Sequence, residues 1–249
     1  MKRLLPVCLL FLYLCGISVP VHAESTFDQL FRLFAGTGQN QEVAGIPHAE
    51  TVTAFRNLGI DVPEETVREV EQSLTEMYAS FSIREEPWDF PLMLLSRLGA
   101  GTYDFDTGDW TSTSTDVYSF DAEVFDIDHM YTLFLQGVSS IVPDFICTDV
   151  TEVIDGWDEG WDQEWGNGWD EGTTTVRFTL NGHTYERQLS FYGDWFNTEA
   201  IDWVNDVLTA EGFDGQLCGF SDGGQGLILV YGDEARIKQL QEVIPQPPL

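Results

Sequence analysis

The residues best suited to chemistry in this chain are aspartates, one histidine, one serine and a run of tryptophans. Asp126, Asp128 and His129 fall within four positions, and a carboxylate beside an imidazole is the smallest set that can move a proton near neutral pH. The same aspartates would equally serve the start of the helix that follows, leaving His129 exposed. Asp104, Asp106 and Asp109 surround Gly108, and hard carboxylate oxygens on a tight turn suit calcium. The stretch lacks the D-x-[DN]-x-[DN]-G spacing with a later glutamate, so a solvated acidic turn competes with that reading. Gly219-Phe220-Ser221-Asp222-Gly223 matches the G-x-S-x-G nucleophile elbow. In that motif a helix follows the serine and the histidine comes later in the chain. Here a strand pattern follows and the last histidine is His183, so Ser221 reads as a turn residue. None of the four histidines forms an H-x-x-x-H pair, which leaves a zinc protease unsupported. With 42 acidic residues, no one pair of carboxylates can be singled out for glycoside hydrolysis.

Trp157, Trp161, Trp165 and Trp169 recur every four residues in a segment, 155–172, that carries seven carboxylates and no basic residue. Flat indole faces stack on the apolar faces of sugars and attract cations. A four-residue period is close to helical, but each glycine costs about 1 kcal/mol in a helix and the acids repel one another at this spacing. The segment is therefore expected to be a mobile loop lengthening a hairpin, and low-complexity expansion competes with ligand binding as its explanation.

Lys2-Arg3, the apolar run 4–19 and the small residues around His22 form the pattern of a secretory signal cleaved near Ala23. A lipoprotein anchor on Cys15 is disfavoured by bulky Leu14, where a small residue is preferred. No later stretch reaches the roughly 20 apolar residues of a membrane span. The 249 residues carry 42 acids against 11 bases, a net charge of −31. Such a field repels phosphate backbones and anionic lipid, which argues against nucleic-acid and membrane-surface roles and favours cationic partners and divalent ions. It also serves solubility. Beyond the signal, Cys147 and Cys218 are the two cysteines; a disulfide and two buried thiols are both open to them.

The elements that must position these residues divide the chain. Region 24–99 reads as helical: an amphipathic segment with Phe27, Leu30, Phe31 and Phe34, a short helix over 47–58 ended by Gly59, and a turn or two over 91–98 closed by Gly99. Its firmest helix starts behind Pro63 and carries Val67, Val70, Leu74, Met77, Tyr78 and Phe81 at a 3.6-residue rhythm. Region 100–249 changes pattern. Tyr103-Asp104-Phe105 and residues 117–124 alternate as a hairpin would, a helix carries Met130, Leu133, Phe134, Val138 and Ile141, and residues 145–154 read as a strand. Asn181-Gly182 between two alternating runs marks a type I′ turn, because both central residues need positive φ. A helix follows from about Asn197 to Gly212, then strands over 216–220 and 227–231 about a glycine-rich turn, then a helix behind Asp233. The expected fold is α+β: a helical N-terminal region packed on a mainly antiparallel sheet with helices on one face. The order hairpin, helix, strand occurs in both halves of 100–249, consistent with a degenerate duplication.

The phrases Val117-Tyr118-Ser119-Phe120-Asp121-Ala122-Glu123-Val124-Phe125-Asp126, Asp194-Trp195-Phe196-Asn197 and Asp222-Gly223-Gly224-Gln225 resemble a family of exported proteins from anaerobic Gram-positive gut bacteria. The resemblance covers about 46–244, with the tryptophan repeat as an addition. It implies secretion and the two-part layout, and brings no activity, substrate or catalytic residue.

The sequence thus points to an exported binding or interaction protein, whose partner would be an extracellular protein, a glycan or a cationic ligand. A secreted carboxylate-based hydrolase and a calcium-dependent adhesion or carbohydrate-binding protein are the alternatives, and a structure separates them by whether carboxylates converge in one pocket.

Overall fold

A computed structural model of the chain describes residues 47–81, 86–104, 109–124, 126–155 and 172–244. The signal segment, the helix expected near Phe27 and the tryptophan repeat lie outside the described residues.

Helix α1 (His48–Asn57) begins behind Pro47, whose carbonyl accepts the amides of Glu50 and Thr51 at 2.9 and 3.0 Å. It ends at Gly59, where a φ of +80° turns the chain so that Ile60 and Val62 become buried. Pro63 presets the entry to α2 (Glu64–Phe81), and Glu64 and Glu65 favour its positive end. Val70 and Leu74 are buried and Val67, Met77 and Tyr78 pack behind them. The expected stripe fails at its last member: Phe81 is 67 % exposed, because α2 outruns the core that its middle turns cover. Helix α3 (Asp89–Gly99) is apolar nearly all round and buries Phe90, Leu92, Leu94, Leu95 and Leu98. Pro91 falls in its first turn, where the missing N–H has no intrahelical partner to lose.

The remaining elements are β1 (Thr102–Asp104), β2 (Asp109–Thr111), β3 (Val117–Asp121), α4 (Met130–Ile141), β4 (Thr148–Asp155), β5 (Gly172–Leu180), β6 (His183–Phe191), α5 (Glu199–Ala210), β7 (Gln216–Ser221), β8 (Gly226–Gly232) and α6 (Glu234–Val243). The protein is α+β, and every strand pair is antiparallel. In place of one sheet with helices on one face, the described residues form two three-stranded sheets, β3-β8-β7 and β4-β5-β6, and a small β1-β2 hairpin. Strand β8 is apolar without alternation because both its faces are covered. Ile228 and Val230 join the core beneath α1–α3 and α6, whereas Leu227 and Leu229 join the core around α4 and α5. Those two helices lie between the sheets. On their far side Val176, Phe178, Leu180 and Leu189 of β5 and β6 turn inward, with Phe178 5.2 Å from Trp203 between ring centres. Arg177, Glu186 and Gln188 on the opposite side of β5 and β6 are exposed.

The Asn181-Gly182 corner adopts φ of +51° and +82°, as a type I′ turn requires. Asp155 opposes Thr173, so 156–171 connects a hairpin. The first half of region 100–249 departs from expectation. Strand β1 pairs with β2, β3 pairs with β8, and β4 starts only at Thr148 after a turn at Asp144, whose φ is +63°. Helix α4 leads from the sheet of β3 to that of β4, and α5 leads back from β6 to β7, so the halves share an order of elements but not a pairing.

Neither Asp126 nor Asp128 caps α4. A short 3-10 turn, Ile127–His129, precedes it without a side-chain cap. The carboxylate of Glu152, on β4, accepts the amides of Tyr131 at 3.0 Å and of Thr132 instead. Burial pushes the Glu152 carboxyl above its ordinary range while those bonds pull it back. Glu152→Ala should cost about 2 kcal/mol, at the upper end for a lost helix cap since the acceptor is charged; urea unfolding checks this, and Glu152→Gln should lose less.

Cys147 and Cys218 are free thiols. Cys147 packs against the core around α4 and α5, Cys218 within the core on the other face of the β3-β8-β7 sheet. Burial pushes Cys147 up to about 12 and Cys218 to about 11, so little of either is thiolate at neutral pH. Iodoacetamide should label neither in native protein and both in denaturant, read by peptide mass.

Candidate functional site

Strand β3 is an edge of its sheet, and beside it opens a cleft of about 310 Å³. Tyr118, Ser119, Phe120 and Asp121 of β3 form one wall, Glu123, Val124 and Asp126 continue it, Met130 and Leu133 of α4 form a second, and Ala100, Tyr103 and Trp110 close it. Gly101 makes the last wall possible. Its φ is +64°, and a Cβ there would lie 2.4 Å from the Trp110 ring, so only glycine lets the β1-β2 hairpin fold its indole down. Trp110 meets Tyr118 edge-on at 5.1 Å and Tyr118 stacks on Phe120 at 4.9 Å, an aromatic run along the strand. Behind it Phe196 sits 5.0 Å from Phe120 and 4.8 Å from Phe134.

Three carboxylates, those of Asp121, Glu123 and Asp126, are among the residues that line the cleft. Burial pushes the Asp121 carboxyl above its ordinary range, the Glu123 amide pulls it back, and the charges of Glu123 and Asp222 push it up again. Asp121 accepts the Glu123 amide at 3.0 Å, and Glu123 accepts the Gln225 side chain. Asp126 lies 3.0 Å from Nδ1 of His129 through either oxygen. Asp194, raised chiefly by burial and further by Glu123, stands on the segment whose carbonyl accepts the Val124 amide. Among the described residues that line it there is no lysine, arginine or histidine.

Among the described residues singled out in the sequence for chemistry, Asp126 alone enters the cleft wall. His129 pairs with it but is 63 % exposed and outside the lining, and Asp128 is exposed on the 3-10 turn. Asp104 and Asp109 oppose each other across the β1-β2 ladder; Asp106 lies outside the described residues, as do Trp157, Trp161, Trp165 and Trp169. Among the described residues no group of three or more acidic, histidine or cysteine side chains could hold a metal ion. Ser221 ends β7 and its hydroxyl accepts the Gly223 amide at 3.1 Å, a turn leading into β8 and not into a helix. Trp110, Tyr118, Phe120, Asp121 and Glu123 went unremarked as a site in the sequence. Their signal was the aromatic alternation of 117–121, but its meaning depends on β3 being an edge.

A second polar cluster ties the Asn181-Gly182 turn to the end of α5. Glu211, with a side chain 7 % exposed, accepts Asn181 Nδ2 at 2.9 Å, His183 Nδ1 at 2.7 Å and the Tyr185 hydroxyl. Led by Tyr185, these bonds hold the Glu211 carboxyl down at about 2, and Tyr185 is held up at about 12. A carboxyl depressed in the folded state contributes stability above its ordinary value of 4.5 and loses it as pH falls towards 2. The difference in Tm between the natural protein and Glu211→Gln should therefore be largest above about pH 5 and close on acidification; a gap that widens below that would contradict the cluster.

Among the described residues no helix is long and apolar enough to cross a membrane. The chain matches no protein-family model, and no curated protein or solved structure is significantly similar to it.

Proposed function

We propose that this chain is an exported ligand-binding protein whose recognition site is the cleft beside β3. The observation that carries this reading is the meeting of Tyr103, Trp110, Tyr118 and Phe120 with Asp121, Glu123 and Asp126 in one concavity of about 310 Å³. Apolar walls with a few converging polar groups are what small-molecule sites are made of, and that volume is at the small end of their range. Export rests on the basic start, apolar run and small-residue cleavage site of residues 2–23. Secretion from a bacterial host, with N-terminal sequencing of the released protein, tests it; retention in the cell would sink it.

A fragment screen by NMR on the full chain tests the site. Binders should shift amides of 100–103, 110 and 117–126, and Trp110→Leu should abolish those shifts. If every fragment that binds maps elsewhere, the reading falls.

One observation favours a second reading. Asp121 and Asp126 both line the cleft, and two carboxyl groups flanking one site are what glycoside hydrolysis uses. Binding is preferred because the exposed rim positions of Asp121 and Glu123 leave the pair without the water-excluded setting that sets a general acid apart from its partner. Turnover of an aryl glycoside lost in Asp121→Asn would favour the hydrolase.

A further inference from the structure

We infer that the occupant of the β3-edge cleft is an organic cation, an ammonium or guanidinium nitrogen carried on an apolar body. This rests on the cleft being a binding site and adds the chemistry of what enters it. The argument is an inventory of donors and acceptors. Two donors of the aromatic wall are turned back on the protein: Trp110 Nε1–H points to the Ala100 carbonyl at 3.4 Å and the Tyr118 hydroxyl to the Leu133 carbonyl at 3.4 Å. The Ser119 hydroxyl pairs with that of Ser96 at 3.3 Å, and the Glu123 and Val124 amides serve Asp121 and the Asp194 carbonyl.

The acceptors are in surplus. Asp121, Glu123 and Asp126 bring six carboxylate oxygens, each carboxylate able to accept about four bonds. The protein supplies one amide to Asp121, one side-chain amide to Glu123 and one imidazole nitrogen to Asp126. A neutral sugar needs donors from its site as well as acceptors, and an anion would meet three like charges. An ammonium or guanidinium only donates, carries the opposite charge, and is attracted by the half-buried rings of Trp110 and Phe120. The chain's net charge of −31 draws such a ligand in.

The experiment titrates the full chain, in about 0.15 M NaCl so that loose counterion attraction is screened, with four probes: 2-phenylethylamine, 2-phenylethanol, phenylacetate and methyl β-glucoside. NMR shifts locate each. The amine should saturate one site mapping to 110 and 117–126, at least about tenfold tighter than the alcohol, and phenylacetate should not bind. Asp121→Asn with Glu123→Gln keeps an acceptor at each position and should bring the amine down to the affinity of the alcohol. Equal or tighter binding of the alcohol or glucoside at the cleft would overturn the cation and leave the cleft standing as a site. Amine shifts that lie elsewhere, or that survive both Trp110→Leu and the double substitution, would overturn it as surface attraction. If none of the four probes maps to the cleft, the cation and the binding site fall together.

Discussion

Phe196→Ala is expected to cost about 4 kcal/mol, the range for a fully buried phenylalanine. Phe196 is 2 % exposed, and its ring lies 5.0 Å from Phe120, 5.4 Å from Tyr131 and 4.8 Å from Phe134. It joins β3 to α4 and to the segment that enters α5. Its amide donates to the Ala122 carbonyl at 2.7 Å and keeps doing so in the variant, so the loss isolates the ring. Because Phe120 lines the cleft, removing what backs it should also weaken ligand binding. Equilibrium unfolding in urea reads the first effect as a fall in midpoint at unchanged slope. A loss under about 1 kcal/mol would mean the aromatic cluster does not carry the core between the sheets.

Gly137→Ala should destabilise although helix propensity alone favours alanine by about 1 kcal/mol. A Cβ at position 137 of α4 would stand 2.1 Å from the Tyr118 ring, a contact that one side must yield. Overpacking of this kind costs about 1–3 kcal/mol, and here it acts on a ring held on its other side by Trp110 at 5.1 Å and Phe120 at 4.9 Å. The net expectation is a loss of about 1 kcal/mol after the propensity gain. Tyr118→Leu removes the atoms that clash, so alanine at 137 should turn from harmful to favourable in that background. A double-mutant cycle in urea measures this coupling; Gly137→Ala that stabilises the natural protein would refute the close approach of α4 to β3.

What could be read from the residues in order was whatever near neighbours decide. The turn at Asn181-Gly182, the ends of helices at Gly59 and Gly212, the cap at Asp233 and the rhythm of Val67, Val70 and Leu74 depend on sterics and hydrogen bonds within a few positions. The acidic balance was equally plain. Tertiary structure decided the partners. Residues 117–124 alternate in a way that shows which side chains share a face, but alternation does not name a neighbour, and β3 took β8, some hundred residues away, instead of β1. The start of α4 looked as though Asp126 or Asp128 would serve it until β4 brought Glu152 to its amides. The cleft belongs to the same class. Its carboxylates are three among 42, and only the pairing that leaves β3 at an edge, with Gly101 folding Trp110 onto it, sets those three apart. Contacts distant along the chain are chosen by total burial, a quantity that no short stretch contains.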